Sequence, residues 1–179
     1  MKISVKLSAI FLMAAVVMML SAGSINAQEN FSGKWAFNQS KSNLGTPPAG
    51  GGGQGQGMRG GMGASEFSIT QQGNTLTVER TRQGRDGNAV VTTDKFDLTG
   101  KVSENTAGNN TSKSTVTWSA DKKVMTVTTT RTMNFQGESR EMKTVENWKL
   151  TEGGKALSIE SINSTPNGEM KTTRVYDKK

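Results

Sequence analysis

The chain has 179 residues and a net charge of +7, from 22 lysines and arginines against 15 aspartates and glutamates. It contains no histidine and no cysteine, which excludes the usual general base at neutral pH, thiolate nucleophiles, disulfides and most transition-metal sites. The basic residues are scattered along the chain, a distribution that does not fit a nucleic-acid-binding surface. We therefore expect a protein that is not an enzyme and that uses no metal, no cofactor and no nucleic acid.

Residues 1–27 have the pattern of a cleaved signal peptide. Two lysines precede an unbroken apolar run at 9–20, and a polar stretch that ends at Ala27 follows. The alternative is a transmembrane anchor, but the run is shorter than the ~20 apolar residues that a span needs. The sequence predicts cleavage after Ala27, export to the periplasm or out of the cell, and a monomeric mature domain at 28–179 without a membrane span.

Residues 45–63 are rich in glycine and almost free of apolar side chains. Such a segment buries too little surface to offset the entropy of ordering it, so we predict a flexible loop within the single domain 28–179. The stretch 55–60 spells G-x-G-x-x-G. A nucleotide site is not expected there, because a dinucleotide fingerprint needs a strand before it and a helix after it.

From residue 64 onward the sequence alternates between short strand patterns and turn signals. Threonine is frequent, and β-branched residues favour strands. Apolar and polar residues alternate with period two in 67–70, 76–78, 125–127 and 157–159. Turn signals recur at intervals of roughly eight to twelve residues, which is typical of an all-β domain.

A weak internal repeat of strand, tight turn and strand begins at Phe67, Trp118 and Trp148. Units that follow one another so closely leave no room for crossovers, so we expect an antiparallel up-and-down meander of about ten strands. An open meander has two bare edges, and closure into a barrel removes them. The sequence therefore predicts a closed all-β barrel.

The first and last strands carry the most specific residues. Phe31, Gly33 and Trp35 spell Phe-x-Gly-x-Trp, which resembles the opening strand of the calycins, the superfamily of lipocalins and fatty-acid-binding proteins. The tetrapeptide Thr-Arg-Val-Tyr at 173–176 is similar to the last strand of the fatty-acid-binding proteins. The chain thus resembles an exported bacterial calycin, which implies a lipocalin-like barrel of ten strands.

The resemblance also implies a binding site. In the fatty-acid-binding proteins the arginine and tyrosine of the last strand hold a ligand carboxylate, so the resemblance assigns this role to Arg174 and Tyr176. A guanidinium offers paired donors to a carboxylate, and a phenol adds a third. The family's second cavity arginine has no counterpart, since Glu146 and Trp148 stand in that region. The candidates to replace it are Arg131, Arg80 and Arg82.

Arg174 also has a structural interpretation. In lipocalins a late basic residue packs against the first-strand tryptophan, so Arg174 could instead stack on Trp35 and close the base of the barrel. By the strand period, Phe37 shares the face of Trp35. Trp118 and Trp148 are predicted to be core residues.

Two functions follow from these patterns. The first is binding of a small apolar or amphipathic ligand, including anionic ones, inside the barrel. The alternative is an envelope structural or surface-interaction module whose interior is filled by side chains, as inward-facing threonines would fill it. A cavity inside the barrel distinguishes the first from the second.

Overall fold

A computed structural model of the protein describes residues 27–45, 66–83, 88–107, 110–135, 138–165 and 168–179. Side chains are described throughout these ranges except at 82–83, 107, 110, 133–135, 138–140 and 165. Apart from Ala27 and Gly45, the predicted signal segment 1–27 and the glycine-rich segment 45–63 lie outside the described residues.

The described residues form ten antiparallel strands in one sheet. They are β1 (Gly33–Asn43), β2 (Glu66–Gln72), β3 (Thr75–Gln83), β4 (Ala89–Asp97), β5 (Ser103–Ala107), β6 (Asn110–Trp118), β7 (Val124–Phe135), β8 (Glu138–Thr151), β9 (Ala156–Thr165) and β10 (Gly168–Lys178). The first strand pairs with the last, which gives the order β4-β3-β2-β1-β10-β9-β8-β7-β6-β5. The predicted all-β meander is confirmed, and helical structure in the described part is limited to a 3-10 turn at Glu152–Gly154.

Alternating burial explains why these segments are strands of a barrel. On β2, Phe67 and Ile69 are buried whereas Glu66 and Thr70 are exposed. Successive side chains of a strand point to opposite faces of the sheet, so the period-two pattern places every second residue inside.

No helix in the described ranges has the length and hydropathy that crossing a bilayer requires.

The hydrophobic core lies at one end of the barrel, which we call the apolar end. The connections at 73–74, 98–102, 119–123 and 152–155 are located there. Phe31 stacks on Trp118 with ring centroids 6.0 Å apart and meets Trp148 edge-on at 6.3 Å. Core residues next to these connections are Trp35, Leu76, Phe96, Leu98, Met125, Trp148 and Leu157.

The Phe-x-Gly-x-Trp motif holds the first and last strands together. Trp35 Nε1 donates a hydrogen bond to the Phe31 carbonyl at 3.0 Å, and Lys178 Nζ lies 5.3 Å from the Trp35 ring centroid. Gly33 has a φ of +151°, and a Cβ there would lie 2.7 Å from Lys178 Cε. The positive φ favours glycine, and a larger residue at this position would displace the end of the Lys178 side chain.

The register of β1 against β10 decides which cation meets Trp35. Trp35 is paired with Lys178, and Arg174 lies four residues earlier on β10, about 13 Å away at the strand rise. Lys178, and not Arg174, takes the position over the tryptophan that the structural interpretation of Arg174 required.

Side chains join β4 to β5, which are the two ends of the sheet order. Asn105 Oδ1 accepts a hydrogen bond from the Lys95 backbone N–H at 2.7 Å, and Asn105 Nδ2 donates to the Lys95 carbonyl at 2.9 Å. Ser103 Oγ accepts from the Asp97 backbone N–H at 2.8 Å. An amide side chain thus replaces part of a strand ladder, and the barrel is nearly closed.

Candidate functional site

The inner surface of the barrel changes from apolar to polar with distance from the apolar end. On β9 the inward residues are Leu157 and Ile159, followed by Ser161, and all three are buried. On β3 Leu76 and Val78 are followed in the same way by Arg80. We call the polar side chains reached in this way the inner polar cluster. Its members are Arg80, Asp94, Glu146, Ser161, Thr172 and Arg174.

Strand register brings half of this cluster together. Thr172 on β10 is opposite Ser161 on β9, and Ser161 is opposite Glu146 on β8. Residues directly opposite in an antiparallel pair have Cβ atoms about 4.5–5.5 Å apart. Three neighbouring strands therefore present a continuous polar row to the interior.

Glu146 is a buried carboxyl group, with 7% of the residue exposed. Trp148 Nε1 donates to its Oε2 at 3.1 Å, and Ser161 Oγ donates to its Oε1 at 3.3 Å. Burial raises the pKa of Glu146 above its ordinary value, although these two donors and the charges of Arg80 and Arg174 act in the opposite direction. Removal from water is thus the dominant influence on the pKa of this carboxyl group.

Arg80 is the most buried cation of the cluster, at 5% exposed. Its guanidinium forms an ion pair with Asp94, and its Cζ lies 5.8 Å from the Phe67 ring centroid. A buried arginine requires such partners, because an unpaired charge inside a protein is strongly unfavourable. The ion pair fixes one positive and one negative charge on the β3–β4 side of the interior.

Arg174 and Tyr176 lie on the inner face of β10. Arg174 is half-buried, and its NH1 donates to Thr172 Oγ1 at 3.3 Å. Tyr176 is 1% exposed, and its ring meets those of Phe67 and Phe37 edge-on at 4.7 and 5.6 Å. Burial raises the pKa of Tyr176, against the influence of Arg174 and Arg80, so the phenol is neutral at neutral pH.

The other residues singled out in the sequence have different surroundings. Arg131 lies on the inner face of β7 but is exposed, and the side chain of Arg82 is outside the described part. Trp35 and Trp148 are fully buried, while Phe37 and Trp118 are partly buried against the core. Among the described side chains of the arginines proposed to replace the second cavity arginine, that of Arg80 is buried inside the barrel.

Glu146, Asp94 and Ser161 were not identified from the sequence as site residues. They could have been identified from the position along a strand at which the inward-facing residues change from apolar to polar. Leu157 and Ile159 are followed two residues later by Ser161, and reading back from Trp148 the next inward residue is Glu146. This signal becomes specific only when the strand register is known.

No protein-family model and no curated protein matches the sequence. Among solved structures, the chain is similar to the zebrafish ileal bile acid-binding protein in complex with cholic acid, with a TM-score of 0.54 and 20% identity. The match covers 83% of this chain and 98% of that chain. At this identity the likeness shows the fold alone, an antiparallel β-barrel.

Proposed function

We propose that this chain is an exported, calycin-like protein that binds a small amphipathic molecule inside its barrel and catalyses no reaction. The observation that carries the proposal is the division of the interior into an apolar end and an inner polar cluster. A filled structural barrel gains nothing from buried charges such as Arg80 and Glu146, since apolar residues of similar size are as stabilising or more so.

Each half of the interior suits one part of an amphipathic ligand. Aromatic and aliphatic side chains at the apolar end suit a hydrocarbon body, at about 25 cal/mol per Å² of apolar surface buried. The inner polar cluster suits a head group, because few well-placed polar side chains in an apolar pocket fix a ligand's orientation. The zebrafish protein of the same fold is complexed with cholic acid, itself an amphipathic molecule, which supports this class of ligand.

Fluorescence titration with cis-parinaryl alcohol and cis-parinaric acid tests the proposal. We expect saturable binding of at least one probe at one molecule per chain. In Arg174→Met the affinity for that probe should fall by about 1.5–3 kcal/mol, which is more than tenfold in Kd, because hydrogen bonds to a charged group are lost.

The control is Lys149→Met, which removes an exposed cation from the outer face of β8 and should leave the affinity unchanged. Thermal melts accompany both variants. Absence of saturable binding by the wild-type chain, together with a clearly lower melting temperature for Arg174→Met, would favour the structural module with a filled interior.

Export is the second part of the proposal. Its support is the arrangement of lysines, apolar run and small-residue cleavage site in residues 1–27. Mass spectrometry of the protein recovered from its native cells should give a chain that begins at Gln28. Recovery of the full-length chain in the membrane fraction would contradict it.

A further inference from the structure

Among the described side chains of the inner polar cluster, the charges cancel when its carboxyl groups are ionised. Its buried and half-buried charged members are Arg80, Asp94, Glu146 and Arg174, two of each sign when both carboxyl groups are ionised. Arg131 is exposed to solvent on the inner face, where water and salt screen its charge. A carboxylate ligand entering this cluster would leave the interior with an uncompensated negative charge.

Hydrogen-bonding capacity in the cluster is also balanced between donors and acceptors. A carboxylate offers about four acceptor sites and a guanidinium five N–H donors. Among the described residues, Glu146 receives hydrogen bonds from Trp148 and Ser161, and Arg174 donates one to Thr172. Both groups therefore have capacity left for a ligand, Glu146 as an acceptor and Arg174 as a donor.

A hydroxyl group satisfies both sides of this arrangement, since it donates one hydrogen bond and accepts others. A carboxylate has acceptors alone, so it could pair with Arg174 but would stand as a like charge near Glu146. In an interior of low dielectric constant, like charges a few ångströms apart repel strongly, and one of the two must take up a proton.

We propose that the inner polar cluster selects amphiphiles with a neutral, hydroxyl-bearing head group, and that Glu146 is the residue that disfavours carboxylates. The inference rests on the proposed binding function and specifies its ligand class. In this arrangement the ligand hydroxyl donates to Glu146 and accepts from Arg174, while Asp94 keeps the charge of Arg80 neutralised.

The matched pair cis-parinaryl alcohol and cis-parinaric acid tests the inference, because the two probes differ only in the head group. At pH 8, where the acid is ionised, the wild-type chain should bind the alcohol at least tenfold more tightly than the acid. In Glu146→Gln the affinity for the acid should rise at least tenfold, and the affinity for the alcohol should fall severalfold.

The control is Glu141→Gln, the same change at an exposed residue of the same strand, which should leave both affinities unchanged. Glu146→Met is a second variant without the charge, and it too should bind the acid more tightly than the wild type. Thermal melts verify that each variant is folded, and the wild-type preference tests the inference without any variant.

The possible outcomes test the preferred head group separately from the binding function. Binding of the acid by the wild type as tightly as the alcohol, or an unchanged preference in Glu146→Gln, would overturn the choice of ligand and leave the binding function standing. Failure of the wild-type chain to bind either probe would overturn the proposed function and this inference with it.

Discussion

Glu146 links the chemistry of the interior to the stability of the fold. Its carboxyl group accepts hydrogen bonds from Trp148 and Ser161, and Arg80, Arg174 and the phenol of Tyr176 face it from β3 and β10. Because burial raises its pKa in the folded state above the ordinary value of 4.5, the folded chain binds the proton more tightly than the unfolded chain. The stability that this provides is fully present below pH ~4.5 and is lost as the pH rises through the folded-state pKa.

Glu146→Gln should remove this dependence, since an amide does not titrate. The melting temperature of the variant relative to the wild type should increase from pH 4.5 to pH 8. Three aspartates have lowered pKa values because their carboxylates accept hydrogen bonds; they are Asp97, Asp121 and Asp177. Their contribution to stability has the opposite pH dependence and is lost as the pH falls below the ordinary value of 3.8. Parallel melting curves for wild type and Glu146→Gln across the range would contradict the burial of an ionisable carboxyl group.

At the scale of strands, the sequence predicted that the strands exist and that buried and exposed residues alternate along them. It did not predict which residues of neighbouring strands pair. Period-two patterns fix which residues of a strand share a face, and so Arg174 and Tyr176 were placed together on β10. They do not fix the register between β1 and β10, which is why Arg174 was also considered as the partner of Trp35, a position that Lys178 occupies. Pairing is decided by contacts far apart in the chain, which a local pattern does not record.

The junction of β4 and β5 is a second feature that local patterns do not contain. Its turn at 98–102 looks like that of any hairpin, yet the hydrogen bonds across it come from the side chains of Asn105 and Ser103. An asparagine amide can substitute for a backbone amide because it carries the same donor and acceptor.

Asn105→Asp tests this junction. The carboxylate can still accept from the Lys95 N–H, but it has no donor for the Lys95 carbonyl and repels it, so the domain should lose about 1–3 kcal/mol of stability in urea unfolding. Hydrogen exchange at the Lys95 amide should accelerate as well. In the matched control Asn147→Asp the acceptor for Thr126 Oγ1, at 2.8 Å in the wild type, is retained. Equal stability of the two variants would show that the Asn105 amide does not hold β4 to β5.

At the scale of the whole molecule, the predicted barrel follows from few constraints. Closely spaced antiparallel strands form a meander, and its bare edges favour closure through β1 and β10. The division of the interior could not be predicted in the same way, because it depends on how the ten strands are staggered against one another. Once that stagger is known, residues far apart in the chain, such as Arg80 and Glu146, prove to belong to one cluster.

The central claim is that an amphipathic molecule binds inside this barrel. The most direct measurement is isotope-filtered nuclear Overhauser spectroscopy of the labelled protein with unlabelled cis-parinaryl alcohol. Contacts between the ligand and the methyl groups of Val127 and Ile159, which are buried in the interior, are the predicted result. Contacts confined to Val91 and Val102 on the surface, which are 60% and 61% exposed, or no contacts at all, would contradict the claim.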